Sequence, residues 1–554
     1  MNYKDLADLI FPNSKDISYY ENKYPERKLP EGAMVTRFAP SPTGFVHIGG
    51  LFGSTVDKKL AQQTNGIFIL RIEDTDQKRE IENGVIQIVE SLKDFGIIPD
   101  EGMIGEKEEI GNYGPYKQSA RKEIYQAYAK SLIEKGRAYP CFATPEELEE
   151  MRQKQEQAKI RPGYYGVWAK YRNLTVDEAI ERIQKGENYI IRFKSLGNEE
   201  RKLKHHDLIK GNIDFPENDQ DIVIIKSDGL PTYHFAHAVD DHLMRVTHVI
   251  RGDEWLSSLP LHLDLFKALE FKVPKYAHTA AIMKEENGGK RKISKRKDPE
   301  AAVSYYHEQG IPSDAVTEYL LNIANSNFES WRKANPNTPV NQFDFQLNKM
   351  SVSGAVFDLV KLLDVSKNII SKYDAKAVYD NALQWAKKYD LQLAELLQRD
   401  AEFTLKVLGI ERGNVKPRKD ISKWADVKDT IEYMYDNIFL EQNISYEFPK
   451  IQDKEEIKRI LTDYLSNYYQ EQDDKQTWFD KIKDLAESLG YAREVKQYKQ
   501  DPEQYPKGHV GDVSMVLRVA LTGRTNTPDM YEIMQVLGKE SIEKRLKRCI
   551  QTIL

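Results

Sequence analysis

Strand, loop and helix follow one another on both sides of a long segment of different pattern. That split alternation constrains the fold of this chain more than any other feature. Residues 35–38 read as a short strand, and 39–45 form a Pro/Gly-rich loop. Helix periodicity runs over 47–64 until Asn65-Gly66 stops it, and a buried-type strand follows at 67–72. Ile81, Val85, Ile88, Val89 and Leu92 repeat at helical spacing over 79–95, closed by Gly96. From about residue 105 to 216 the pattern shifts to Glu/Lys/Gln-rich helices with short Tyr/Arg strands. The α/β rhythm returns with a strand at 221–226, a turn at Ser227-Asp228-Gly229, a helical stretch to 241, a strand at 246–250 and a helix at 257–269. Such alternation implies a doubly wound parallel sheet, Rossmann-like, split by an inserted α+β domain. Beyond Asp298 the pattern is almost entirely helical, so all-helical C-terminal domains follow the α/β domain.

The expected divisions are an irregular N-terminal extension at 1–33, a first Rossmann-like half at 34–104, an insert at 105–220, a second half at 221–310, and helical domains at 311–371 and 372–554. A chain of 554 residues leaves room for several domains. No apolar run reaches the length of a membrane span, and the first residues lack an apolar signal core, so no membrane role and a cytoplasmic location are expected. The chain has only two cysteines, Cys141 and Cys549, which excludes a disulfide scaffold and fits a reducing compartment. Net charge is −6 from 81 basic and 87 acidic residues, so a nucleic-acid partner would be met by local basic patches.

Two segments carry chemistry. Arg37-Phe-Ala-Pro-Ser41-Pro42-Thr43-Gly44 runs into His47-Ile-Gly49-Gly50, a strand-to-helix turn with glycines at the helix start. Free N–H groups and the positive helix end make such a turn a phosphate cradle, and His47 could donate to a phosphate oxygen. A Pro-stiffened turn with a satisfied histidine is the alternative. The second segment packs six basic residues between Lys290 and Lys297. It reads as a solvated charge run or as a cationic loop that closes over a polyphosphate.

Together these segments resemble the two signatures of the class I aminoacyl-tRNA synthetases, in the form used by the glutamyl-tRNA synthetases. Pro40-Ser41-Pro42-Thr43-Gly44 with His47-Ile-Gly49-Gly50 is similar to the first, with Gly50 where the ideal tetrapeptide has a second histidine. Lys292-Ile-Ser294-Lys295-Arg296 is similar to the second. Arg71-Ile-Glu73-Asp-Thr-Asp76, Gly114–Ser119, Gly229–His234, Asp240-Asp-His242, residues 249–252 with Trp255, residues 355–359 and residues 517–523 fit the same family.

The resemblance implies a two-step, ATP-dependent attachment of L-glutamate to tRNA(Glu) through glutamyl-adenylate. It implies His47 and Lys295 as the catalytic groups and Pro42, Thr43, Gly44, Gly49, Gly50, Lys292 and Ser294 around the ATP. Two carboxylates and one ammonium on glutamate call for two cationic forks and one anion. The matching positions are Arg37, Arg251 and Glu73, with Ser41 and Tyr233 adding neutral hydrogen bonds and His237 one turn beyond Tyr233. Which arginine takes which carboxylate stays open. Magnesium is expected with ATP, the insert should hold the acceptor end, and the helical half should read the anticodon, with Arg412 and Arg418 as candidate tRNA contacts. Many relatives hold a structural zinc in the insert; here Cys141 is the one thiol there, and four-coordinate zinc needs more, so no zinc is expected. A monomer is expected. A glutaminyl enzyme or an inactive RNA-binding relative are the rival readings; the Pro-Ser-Pro-Thr-Gly loop and helical C-terminal half argue against the first, and the intact charged set against the second.

Overall fold

The computed structural model describes residues 2–44, 46–76, 80–294 and 296–553. They fall into two compact units. The first runs to Tyr305 and includes Val316–Asp358; the second holds Tyr306–Ala315 and everything from Leu359 onward.

The first unit is built on a parallel sheet. Val35–Phe38 pairs with Ile67–Leu70, and Ile67–Leu70 with Glu101–Met103, all parallel. On the other side His248–Gly252 pairs in parallel with Lys275–Thr279. The Thr247 N–H donates to the Val35 carbonyl at 3.0 Å, which ties the two parallel sets together at the first strand. Strands buried on both faces need side chains that are apolar throughout, and Ile-Phe-Ile-Leu at 67–70 supplies them. Helix Ile48–Gln63 covers the sheet with Ile48, Leu51, Val56 and Leu60. Gly66 lets the chain return tightly: a Cβ there would lie 1.9 Å from the Met34 carbonyl oxygen.

Two sequence expectations change. Residues 1–33 are not an irregular lead-in. They form helices Tyr3–Ile10 and Ile17–Lys23, capped by Asn2 and Asp16, with Leu6, Ala7, Tyr20 and Tyr24 buried. Glu21 accepts from Tyr128 at 2.6 Å and from Arg245 at 2.9 Å, and Arg27 grips Glu101 through bonds of 2.7 and 2.9 Å. Helices this short show little periodicity, and their tyrosines and charges look like surface residues until their partners are known. The strand near Asp221 also belongs elsewhere. Val223–Ile225 pairs antiparallel with Ile190–Phe193, which pairs with Ala138–Cys141, so it completes the sheet of the inserted segment. The parallel sheet resumes only at His248.

The rest of that segment carries helices Lys122–Glu134, Pro145–Gln157 and Val176–Gln184 and the hairpin Lys202–Asp207/Gly211–Pro216. Cys141 packs among aromatic side chains, its thiol 3.4 Å from the Tyr164 hydroxyl. The second unit is helical around one apolar core, as the sequence pattern requires. Arg545 is buried inside it, held by Asp436 at 2.8 Å and by the carbonyls of Tyr433, Met434 and Leu521.

Candidate active site

A cleft of about 780 Å³ opens at the carboxyl ends of the parallel strands, where open α/β sheets bind ligands. One wall is the start of helix Ile48–Gln63. His47 caps it, its Nδ1 accepting the Gly50 N–H at 3.2 Å. That bond puts the neutral ring's proton on Nε2, so the imidazole is a donor on its outer edge. A Cβ on Gly49 would meet the His47 ring at 2.9 Å, and one on Gly50 would meet the Phe38 ring at 3.3 Å. Gly49 thus leaves room for the His47 ring, and Gly50 leaves room for the Phe38 ring.

The facing wall includes the antiparallel hairpin Met283–Glu286/Gly289–Lys292. The basic run is therefore partly a strand rather than wholly a loop. Arg291 forms two bonds to Asp298, at 2.6 and 2.7 Å, and the Ser294 N–H donates to Asp298 at 2.9 Å. This anchors the turn that follows. Lys292 and Ile293 line the cleft, Lys292 with an exposed ammonium 3.7 Å from Glu254. Lys295 lies outside the described residues.

The floor is charged and buried. Arg37 is buried; its Nε sits 3.3 Å from Asp241 and its Nη1 donates to the Ile250 carbonyl at 3.2 Å. Arg71, wholly buried, donates to Asp241 at 2.6 Å and to Glu73 at 3.2 Å. Asp241 thus compensates two guanidinium groups, and Arg71 and Arg37 hold its carboxyl well below the usual range against the effect of burial. Glu73 shows the opposite balance. Burial raises its carboxyl to about 7, although Arg71 and Arg37 pull it down. The Glu73 N–H donates to the Pro40 carbonyl at 3.0 Å, fastening the phosphate-side loop to the floor. Asp57 lines the same floor; its Oδ1 is buried without a hydrogen-bond partner, and burial pushes its carboxyl well above the ordinary range.

Arg251, at the end of its own strand, is held differently. Its Nε donates to His278 Nε2 at 3.0 Å, its Nη1 to His262 Nδ1 at 3.1 Å, and its Nη2 to the Trp255 carbonyl at 3.3 Å. Among the described residues no carboxylate lies within ion-pair distance of it. Burial lowers the titration of His278 and takes His262 well below the ordinary imidazole range, so both rings are neutral. The positive charge on Arg251 is left for a ligand.

Of the residues singled out by sequence, Arg37, Ser41, His47, Gly49, Gly50, Glu73, Tyr233, Arg251 and Lys292 line the cleft. Pro42, Thr43, Gly44 and Ser294 are not part of that lining. Pro42 accepts the Ile81 N–H at 3.0 Å, and Ser294 docks on Asp298. His237 is fully buried behind Tyr233, its ring stacked on the phenol at 6.0 Å and its Nε2 3.0 Å from the Tyr276 hydroxyl. Its Nδ1 is 3.0 Å from Asp241 but off the line a hydrogen bond needs. It supports the floor instead of facing the cleft. Arg412 donates to the Ile370 carbonyl at 3.0 Å, and Arg418 pairs with Asp420. Both guanidinium groups are engaged within their own unit, so the case for a tRNA contact does not rest on them. Sequence reasoning missed Arg71, Asp241, Asp57, His262 and His278 as parts of the site. A signal for Arg71 exists in retrospect: an arginine directly after an all-apolar strand needs a buried anion.

A phosphate-side helix start, a cationic hairpin opposite it and a charged floor on a split parallel sheet define a class I tRNA synthetase. The family described as tRNA synthetases class I (E and Q), catalytic domain, matches residues 33–363, and an anticodon binding domain matches 507–550. The chain is 54% identical over 550 residues to the glutamate–tRNA ligase of Clostridium perfringens (strain SM101 / Type A), covering 99% of each. It is 51% identical to that of Acetivibrio thermocellus, covering 99% of this chain and 100% of the relative. The crystal structure of a glutamate tRNA ligase from Elizabethkingia meningosepticum CCUG26117 in complex with its amino acid superposes with a TM-score of 0.74 at 27% identity, covering 94% of this chain and 100% of that one. The chain belongs to the glutamate–tRNA ligases of class I.

Proposed function

We propose that this enzyme joins L-glutamate to tRNA(Glu) in two steps within the cleft. A glutamate carboxylate oxygen attacks the α-phosphorus of ATP and the bond to the bridging oxygen breaks, giving glutamyl-adenylate and pyrophosphate. A ribose hydroxyl at the tRNA 3′ end then attacks the activated carbonyl and AMP leaves. Neither step needs a protein nucleophile, so positioning and charge stabilisation carry the catalysis. The observation that carries the reading is the pairing of the uncompensated Arg251 with the half-titrating Glu73 in one floor. Arg251 takes a carboxylate of glutamate, and Glu73 as the anion takes the ammonium. Arg37, already shared with Asp241, is the second fork.

The helix start at His47 holds the phosphates, with Nε2–H as donor, and Lys292 approaches them from the hairpin. Lys295 is assigned to the charge that builds on the α-phosphate and the leaving pyrophosphate. Magnesium enters with ATP, its ligands chiefly phosphate oxygens and water. The inserted segment receives the acceptor end, residues 311–371 contact the stem, and residues 372–554 read the anticodon. The enzyme works without zinc, as a monomer, in the cytoplasm. Among the described residues no helix is long and apolar enough to cross a membrane.

Pyrophosphate exchange into ATP tests this reading. Exchange should require glutamate and tRNA together, and glutamine should fail to support it, because its amide N–H₂ would face arginine donors. Exchange driven equally well by glutamine would refute it.

A further inference from the structure

Arg251 owes its uncompensated charge to a chain of groups that begins in the inserted segment. Asp207 ends the strand Lys202–Asp207 of the insert hairpin and is fully buried. Its Oδ1 accepts the N–H groups of Ile209 and Lys210 at 2.9 and 2.8 Å, which closes the hairpin turn. Its Oδ2 accepts from His278, at 2.7 Å from Nδ1 and 3.1 Å from the backbone N–H. Although burial opposes it, the donors from His278, Lys210 and Ile209 hold the Asp207 carboxyl below its usual range. It is therefore an anion, and an anion can only accept. That forces the His278 proton onto Nδ1 and leaves the Nε2 lone pair toward the Arg251 Nε–H at 3.0 Å. With the other tautomer two donors would face each other. On the far side His262 accepts from Arg251 through Nδ1, so its proton sits on Nε2, 2.9 Å from His234 Nδ1.

We infer that Asp207 and His278 are positioning residues for the substrate carboxylate: Asp207 fixes the His278 tautomer, and His278 fixes the Arg251 fork without neutralising it. A carboxylate in place of His278 would hold the guanidinium as firmly but would compete with the ligand. A neutral imidazole holds it and leaves the charge available. The arrangement also makes the hairpin of the inserted segment a structural part of the amino-acid site. This inference rests on the reading that Arg251 binds a carboxylate of glutamate.

Steady-state aminoacylation by full-length variants tests it. Asp207→Asn keeps the Oδ1 acceptor for the hairpin turn but presents N–H₂ to His278, which drives the ring to the wrong tautomer. The KM for glutamate should rise roughly tenfold or more, with kcat and the KM for ATP within about twofold. His278→Leu, which removes the acceptor, should do the same. His278→Gln keeps an acceptor toward Arg251 and a donor toward Asp207, and should stay within a few-fold of the parent. Should Asp207→Asn not fold, the His278 pair decides the matter alone. A glutamate KM unmoved by both Asp207→Asn and His278→Leu overturns the inference, as does an equal loss for His278→Gln and His278→Leu. Arg251→Ala separates this from the underlying reading: if it too leaves the glutamate KM unchanged, the assignment of Arg251 falls; if only the Asp207 and His278 variants are silent, the relay falls and the site stands.

Discussion

Arg37 and Arg251 stand at the ends of strands in two adjoining parallel sets and line one cleft, yet they are held by opposite means. Arg37 shares Asp241 with the buried Arg71, an arrangement in which the guanidinium groups are met by carboxylates inside the protein. Arg251 leans on two neutral imidazoles and a carbonyl. The first cluster does structural work, because removing one member leaves buried charge unpaired, while also offering Arg37 to the substrate as a shared fork. The second is built for a ligand, because its charge is satisfied only when an anion arrives. Residue type and position alike, arginine at a strand end, do not separate these tasks; their partners do.

The largest expected effect breaks the compensated cluster. Asp241→Ala should leave Arg37 without its anion and Arg71 with only Glu73 at 3.2 Å and Asp240 at 3.8 Å, and cost about 3–5 kcal/mol of stability. Denaturant unfolding of the purified variant checks this, and a loss below about 1 kcal/mol would mean that Glu73 and Asp240 suffice to compensate the buried arginines. Next in size, Arg251→Ala should raise the glutamate KM about a hundredfold, from the loss of a charge-assisted pair worth about 3 kcal/mol, with little change in melting temperature. If its main effect were on melting instead, the contrast between the two arginines would fail.

The third expectation concerns pH. Glu73 is raised to about 7 by burial, so it is half protonated near neutrality in the free enzyme. An ammonium is bound by the anion, so kcat/KM for glutamate should climb about tenfold per pH unit below 7 and level off above it. Glu73→Gln should lose most activity and the step with it. The stability sign is opposite. A carboxyl whose folded titration lies above its unfolded one contributes stability at low pH, and that contribution fades as pH rises from the ordinary carboxylate range through about 7. Unfolding measured in parallel should show that decline, reduced in Glu73→Gln. The smallest effect belongs to an arginine of the helical unit. Arg412→Ala removes bonds to the carbonyls of Ile370 and Tyr373 and should cost about 1 kcal/mol of stability while leaving the tRNA KM unchanged.

The split α/β plan, the helical C-terminal half and most of the cleft lining follow from local pattern. Strand-sized apolar runs, Asn65-Gly66 as a stop and the glycines beside His47 are dictated by short-range sterics and burial, which a linear sequence displays directly. So are the identities of Arg37, Glu73 and Arg251 as charged residues at strand ends. What tertiary structure alone decided is the pairing of those charges. Val223–Ile225 reads as one more strand of an alternation, yet it completes the insert's antiparallel sheet, because partner choice depends on edges that sequence does not show. The short N-terminal helices and the segment after them dock through buried Leu6, Tyr20 and Tyr24 and through Glu21 and Arg27, which meet Arg245 and Glu101 more than seventy residues away. Asp207 lies over forty residues before Arg251 and seventy-one before His278, in a different sheet, and no periodicity links them. Electrostatic compensation acts through space at hydrogen-bond distance, so the sequence fixes which groups are available and only the fold decides which of them are neutralised and which are left for the substrate.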